Sequence, residues 1–226
     1  MKNENKQYES CLNKVPIFKN LSNEEKAKIV DLIKVQRVNK GEFIYSAGTK
    51  NNALYVVHEG RVKLSRVNKE GNEQVIRVLS PGDFMGEGSL FSNGETNDFA
   101  TSMEDCHLCV LSAKALKDHM LKHPTTMFSV MQELINRLEK AEAVIESTNL
   151  RPVDERIAGS LLNLASKFNM VTLPYSKGDW ASLLGMKQET LSRKLRYFKE
   201  EGYIKLKGQR IIYILDRAYF EKLAKL

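Results

Sequence analysis

Residues 176–201 read SKGDWASLLGMKQETLSRKLRYFKEE, and two short helices with a turn between them account for the pattern of that stretch. Ser176, followed at the third position by Asp179, is a helix start of the capping-box kind. Trp180, Leu183 and Leu184 recur at helical spacing until Gly185 interrupts, and a second helix is expected over 187–201. Two helices joined in this way read as helix-turn-helix. In the second, Leu191, Leu195 and Phe198 fall on one face, while Gln188, Glu189, Ser192 and Arg193 follow an i, i+1, i+4, i+5 pattern on the other. That free face offers a carboxylate that accepts from cytosine N4, a guanidinium that forks onto guanine O6 and N7, and small amide and hydroxyl groups, which together read base edges. Lys187, Lys194, Arg196 and Lys199 are better placed for phosphates, which set register and carry no sequence information. After Gly202, runs at 203–206 and 211–215 flank Lys207-Gly208-Gln209-Arg210, a hairpin whose basic tip would act as a wing. The plain alternative is a solvated amphipathic helix in which Glu189 and Arg193 pair at i, i+4 for about 0.3–0.5 kcal/mol. Turn, wing and local charge together favour the DNA reader.

The charge excess surrounds this stretch. The 226 residues carry 35 Lys+Arg and 28 Asp+Glu; residues 1–150 hold 20 of each, and residues 151–226 hold 15 against 8, so the whole +7 sits in the last third. A neutral body with a basic end points to a polyanion partner, nucleic acid ahead of membrane because the segment has apolar core positions of its own. With 42% hydrophobic and 28% charged residues the composition is globular, which excludes wholesale disorder and fibrous repeats. Apolar runs such as 211–215 fall far short of the ~20 residues of a membrane helix. The polar start, residues 1–7, leads into no apolar core of a secretory leader, so a cytoplasmic location without a membrane partner is expected. Three cysteines, Cys11, Cys106 and Cys109, are an odd number and argue against a disulfide framework.

Upstream, Ser22 with Glu25 three residues on is a capping box, and Ile29, Val30, Leu32 and Ile33 supply the apolar face of one short helix. Over 38–111 the pattern turns to short alternating runs, Leu54, Val56, Val62 and Leu64 among them, punctuated by glycines of which Gly60, Gly71 and Gly82 lie eleven residues apart. Evenly spaced turns between short strands predict a small all-β barrel or roll. From Pro124 to about Asn149 there is neither Gly nor further Pro, and Met127, Met131, Leu134, Leu138, Ala141, Ile145 and Thr148 are spaced 4, 3, 4, 3, 4, 3. A 3.5-residue seam flanked by charges predicts a dimeric coiled coil. Pro152 ends the helix and marks a hinge. Beyond it, 153–168 reads as an amphipathic helix with Ile157, Leu161, Leu164 and Phe168 on one face, and 171–173 as a short strand.

Four stretches together resemble the CRP/FNR superfamily of bacterial transcription regulators over essentially the whole chain. They are KGEFIY at 40–45 with Gly48, LYVVHEGRVKL at 54–64, PGDFMGE at 81–87 and ETLSRKL at 189–195. The resemblance implies an α+β chain: an N-terminal double-stranded β-helix (a jelly roll, cyclic-nucleotide-binding-like), a long dimerisation helix and a C-terminal winged helix-turn-helix. The expected division is an arm at 1–20, a β-roll sensor at 21–123, the dimerisation helix at 124–150 and the DNA-binding domain at 151–226. Glu189-x-x-Ser192-Arg193 is similar to the reading head of the FNR branch, which implies TTGAT-like half-sites in an inverted repeat. Expected partners are double-stranded DNA, a second copy of the chain through 124–150, and RNA polymerase, with activation as the expected outcome.

For the signal, relatives that bind cyclic AMP carry a Gly-Glu pair for the ribose and an Arg-Ser pair about ten residues on for the cyclic phosphate. Here Gly86-Glu87 match, but the second stretch reads Glu95-Thr96-Asn97-Asp98-Phe99, with no Arg from 92 to 105. A phosphate facing Glu95 and Asp98 loses a charge-assisted fork and gains repulsion, so cyclic AMP is not the expected effector. Gly86 and Glu87 remain the effector-site candidates, with Glu87 read as a structural residue of the roll. An iron-sulfur cluster needs four thiolates and only three exist. Cys106 and Cys109, three apart on an expected strand, project to opposite faces and do not pinch a metal. A thiol switch pairing Cys11 with Cys106 or Cys109 is the rival reading, and constitutive DNA binding with no effector a third. His119 and His123, at i, i+4, read as a surface pair without a third ligand, and His58 and His107 have no evident partner. No P-loop, zincin or nucleophile-elbow motif is present and no catalytic constellation is found, so neither an enzyme nor a bound metal or cofactor is expected.

Overall fold

The computed structural model describes residues 15–18, 21–91 and 95–225. Cys11 lies outside the described residues. Two compact units part between Leu138 and Glu139. No helix among the described residues is long and apolar enough to cross a membrane.

The first unit opens with a 3-10 turn at Pro16–Phe18 and helix α1 (Asn23–Val30). The capping box predicted there is formed: Glu25 N–H donates to Ser22 Oγ at 3.3 Å and Ser22 N–H to Glu25 Oε2 at 2.9 Å. Strands β1 (Ile33–Val38), β2 (Phe43–Tyr45), β3 (Ala53–Glu59), β4 (Val62–Val67), β5 (Glu73–Leu79), β6 (Phe84–Met85), β7 (Phe99–Ser102) and β8 (Cys106–Ser112) follow, with a one-turn helix α2 (Gly88–Phe91) between β6 and β7. They make two four-stranded antiparallel sheets, β1-β8-β3-β6 and β2-β7-β4-β5. This is the β-roll that the alternating runs predicted, with the jelly-roll form that the resemblance implied.

The central strands β3 and β8 of the first sheet are buried on both faces. Cys106 and Leu108 of β8, with Val57 of β3, meet Val62, Leu64, Leu79, Met85 and Ala100 inside the roll. Cys109 and Leu111, with Leu54 and Val56, face Ile17, Phe18, Ile29, Leu116 and Val130 on the other side. Gly60 makes the β3–β4 turn possible: its φ is +85°, and a Cβ there would stand 2.6 Å from Asp105 O and from Cys106 Sγ.

Helix α3 (Ala113–Lys122) leads into α4 (Pro124–Leu150). Thr126 and Val130 of α4 are buried, and Leu134 packs against the roll's outer cluster. The predicted seam is therefore corrected at Leu134: the roll has taken that side chain. The apolar side chains left outward are Met127, Phe128 (66% exposed), Met131, Ile135, Leu138 (59%), Val144, Ile145 and Leu150, so the open stripe keeps Met127, Met131, Leu138 and Ile145 of the predicted seam, adds Phe128 and Ile135 beside them, and loses Leu134 to the roll. Burial by the chain's own sheet, which heptad spacing does not register, is the physical reason.

The second unit contains α5 (Val153–Leu164), β9 (Met170–Thr172), α6 (Lys177–Leu183), α7 (Gln188–Glu200), β10 (Ile204–Lys207), β11 (Ile211–Ile214) and α8 (Arg217–Ala224), with strands in the order β10-β11-β9. Its core joins Ile157, Leu161, Trp180, Leu191, Leu195, Phe198, Ile212 and Phe220. The amphipathic helix expected to 168 stops at Leu164, where Ala165 turns extended. Phe168 sits 90% exposed in a turn whose Asn169 takes a φ of 56° and whose Ser166 Oγ accepts from the amides of Phe168 and Met170. Local hydroxyl-to-backbone bonds have won over helical periodicity. Helix α8 packs on α5 and edge-stacks Phe220 on Phe198 at 5.2 Å.

Candidate DNA interface and effector pocket

Helix α7 is held by its apolar face and leaves the other open. Leu191, Leu195 and Phe198 are buried. Gln188, Glu189, Ser192, Arg193 and Arg196 line one continuous depression on the exposed side. Of the basic residues expected on phosphates, Arg196 thus stands with the base-reading group. Lys187 and Lys199 are exposed. Lys194 is placed differently from the expectation: its Nζ is 2.8 Å from Asp154 Oδ2, both half-buried, so it ties α7 to α5 and does not face outward. Position i+1 after Arg193 turns toward the packed flank of the helix, and an acidic partner on another element is invisible to helical periodicity. Glu189 and Arg193 form no ion pair with each other, so both heads stay open. The β10–β11 hairpin turns at Gly208 with a φ of +62° and exposes Lys205, Lys207 and Arg210 beside it. An open helix face with donors and acceptors, flanked by a basic hairpin, is the chemistry of groove reading plus phosphate anchoring.

In the roll, a cavity of about 310 Å³ is bounded by Tyr45, Asn51, Arg66, Arg77, Gly86-Glu87-Gly88 and residues 95–98. Gly86 has a φ of +83°, and a Cβ would stand 2.5 Å from Ala53 O and 2.7 Å from Asn51 Nδ2. Glu87 Oε1 accepts from Arg77 Nη2 and from Arg137 Nη1, each at 3.1 Å. Arg137 lies 3.6 Å over the Phe84 ring and also donates Nε to Glu133 at 3.2 Å. Glu87 therefore ties the cavity wall to α4, a more specific arrangement than a structural residue of the roll. Asp98 has its pKa raised, first by burial and further by Glu87, against the opposing pull of Arg66 and Arg77.

The sequence reading sought a guanidinium only near the Gly-Glu pair and missed Arg66 and Arg77, which arrive from β4 and β5. Arg77 had a signal: it interrupts the apolar run Val75-Ile76-Arg77-Val78-Leu79. Arg137 is one of the charges that flank the seam, and nothing local points it at Glu87.

Cys106 is buried inside the roll, where its thiol donates to Arg61 O at 3.3 Å and Glu104 O at 3.1 Å; burial pushes its pKa up, which disfavours the reactive thiolate. Cys109 is buried on the opposite face of the same strand. His119 and His123 are no surface pair: their rings stack at 4.4 Å, His119 is buried, its Nε2 is 3.3 Å from Thr126 Oγ1, and His123 Nδ1 is 3.4 Å from Glu25 Oε1. His107 has a partner after all, Glu59 Oε2 at 2.8 Å across the sheet. No group of three His, Cys, Asp or Glu among the described residues is disposed to hold a metal.

Comparison with known proteins agrees with both halves. Residues 35–123 match the cyclic nucleotide-binding domain family and residues 155–223 the Crp-like helix-turn-helix domain family. A relative from Lacticaseibacillus casei named as transcriptional regulator flp is 30% identical over 204 residues, 89% of this chain and 93% of its own. The cyclic AMP receptor protein of Thermus thermophilus is 28% identical over 209 residues, 92% and 96% of the two chains. The solved structure of a CRP/FNR-family transcriptional regulator, also from Thermus thermophilus, superposes with a TM-score of 0.69 at 27% identity, covering 85% of this chain and 99% of that one. A Crp-like helix-turn-helix carries DNA binding with it, and the chain belongs to the CRP/FNR family of transcription regulators.

Proposed function

We propose that the protein acts in the cytoplasm as a homodimer that binds an inverted repeat of TTGAT-like half-sites and activates transcription through contact with RNA polymerase. The open face of α7 carries this reading: Glu189 and Arg193 stand unpaired with each other beside Gln188, Ser192 and Arg196, with the apolar half of the helix buried. The outward apolar stripe of α4 from Phe128 to Leu138 supports a two-fold partner. Such a pair sets two reading helices about one turn of DNA, roughly 34 Å, apart. The pocket supports an effector other than cyclic AMP. Glu95 and Asp98 line it and would repel a cyclic phosphate, and Arg77 is already held by Glu87. The same closure of Glu87 by two arginines favours a second reading, DNA binding with no effector at all.

The test is fluorescence anisotropy with a labelled inverted repeat and a scrambled duplex at matched salt. The parent prefers the repeat, and Arg193→Ala loses about 1–3 kcal/mol on it with relaxed choice at one guanine per half-site. An unchanged ratio of the two affinities in that variant would remove Arg193 as a reader. Cyclic AMP added to the same assay leaves the parent's affinity unchanged.

A further inference from the structure

We infer that the first turn of α5 is a two-pronged clamp that orients the reading helix, with Arg156 as a positioning residue for DNA recognition; this rests on the DNA-reading role of α7 proposed above. One prong is the Arg156 guanidinium, whose Nη1 donates to the carbonyls of Leu184 and Gly185 in the turn between α6 and α7. These carbonyls follow the last turn of α6, where intrahelical donors have run out and a cation is favoured by the helix dipole. The other prong is Asp154, two residues earlier, which accepts from Lys194 Nζ of α7 at 2.8 Å. Both leave α5 immediately after Arg151-Pro152.

Gly185 makes the close approach possible. Its φ is +64°, and a Cβ there would stand 2.9 Å from Thr148 Cγ2 of α4 and 3.2 Å from Arg156 Nη1. The end of α4, the start of α5 and the reading turn therefore meet at one backbone position. Two buried atoms at the clamp, Asp154 Oδ1 and Arg156 Nε, have no hydrogen-bond partner. Burying incompletely satisfied charged groups costs stability, and apolar side chains would fill the same space without that cost. What the charged pair supplies instead is direction. Apolar packing of Leu191, Leu195 and Phe198 fixes how near α7 lies but tolerates small rotations, whereas charge-assisted hydrogen bonds at the turn before α7 and midway along it do not. Base-edge contacts need that orientation; phosphate attraction does not.

The experiment uses the full chain, the inverted-repeat duplex and a scrambled duplex of the same length at one salt concentration. Melting is followed in parallel by the fluorescence of Trp180, the single tryptophan, buried in this unit. Arg156→Met is expected to weaken binding to the repeat by about tenfold or more while scrambled binding stays within about twofold and the Trp180 transition persists. Arg156→Lys recovers part of the loss, because one donor remains, and Lys194→Met shifts the ratio in the same direction as Arg156→Met. A merely structural role would not move the ratio of the two affinities in folded protein. The clamp is overturned if Arg156→Met, with its Trp180 transition retained, keeps the parental ratio or loses both affinities in equal proportion. Should Arg156→Met not fold, Arg156→Lys decides: a parental ratio overturns the clamp, and a reduced ratio with parental melting supports it. A parent that does not distinguish the duplexes removes the DNA reading and the clamp with it; a parent that does, with variants that match it, removes the clamp alone.

Discussion

Gly86→Ala separates what the Gly86-Glu87 pair does for folding from what it does for any effector. The glycine has a φ of +83°, and a Cβ built on it meets Ala53 O at 2.5 Å and Asn51 Nδ2 at 2.7 Å. Left-handed backbone costs an alanine about 1 kcal/mol relative to glycine. Ala53 belongs to β3, which pairs with both β6 and β8, so its carbonyl has little room to retreat. It also accepts from Asn51 Nδ2 at 3.0 Å, and the intruding methyl breaks that bond at a cost of about 1 kcal/mol. Residual overpacking brings the expected loss to about 2–4 kcal/mol in the roll. The assay is urea unfolding of the full chain followed by far-UV circular dichroism, which reports both units, and by Trp180 fluorescence, which reports only the second. The dichroism transition of Gly86→Ala moves to lower urea while the Trp180 transition stays near the parental midpoint. A variant whose roll unfolds with the parental midpoint would refute the reasoning, since neither the backbone angle nor the contact would then matter. If only effector affinity changed, Gly86 would belong to the ligand and not to the fold.

Burial of His119, and next the charge of His123, hold the His119 imidazole below its ordinary pKa. The unfolded chain then takes up a proton that the folded one resists, so stability falls as pH drops below about 6.5, by at most ~1.4 kcal/mol per pH unit. His119→Gln flattens that acid limb in unfolding titrations; identical limbs in both proteins would count against it. Cys106 and Cys109 are expected to alkylate at pH 8 only as fast as the roll opens, measured by mass spectrometry; rapid labelling of native protein would revive the thiol-switch reading. Leu138→Lys, on the outward stripe of α4, removes apolar burial from both copies and is expected to raise the dimer dissociation constant about a hundredfold, on the order of 3 kcal/mol, in sedimentation equilibrium. A parent that sediments as a monomer at micromolar concentration ends the dimer proposal.

Legibility in the sequence followed the range of the interactions involved. The capping box at Ser22, the N-cap at Ser176, the turn at Gly185 and the two faces of 188–198 are local matters, settled within a few residues, and each was readable from spacing alone; at Ser176 the Asp179 carboxylate takes the serine hydroxyl in place of the backbone N–H that a full box requires. The end of α5 at Leu164 was misjudged because Ser166 and Asn169 offered the backbone a competing local solution. Leu134 and Lys194 were misplaced for a different reason: a heptad or a helical wheel counts positions on one element and does not know which neighbour claims them.

What the sequence by itself determined is the order of parts and the character of each: a glycine-punctuated roll, a long helix, a basic reader whose apolar positions leave Glu189, Ser192 and Arg193 outward. Periodicity and backbone preference act over four or five residues, so they survive translation into one dimension. Only the tertiary structure decided which charges meet. Arg77, Glu87 and Arg137 are brought together from a strand, a turn and a helix, and Asp154, Arg156, Gly185 and Lys194 from α5, α7 and the turn between α6 and α7. Such contacts depend on where whole elements pack, and no spacing along the chain encodes a distance across it.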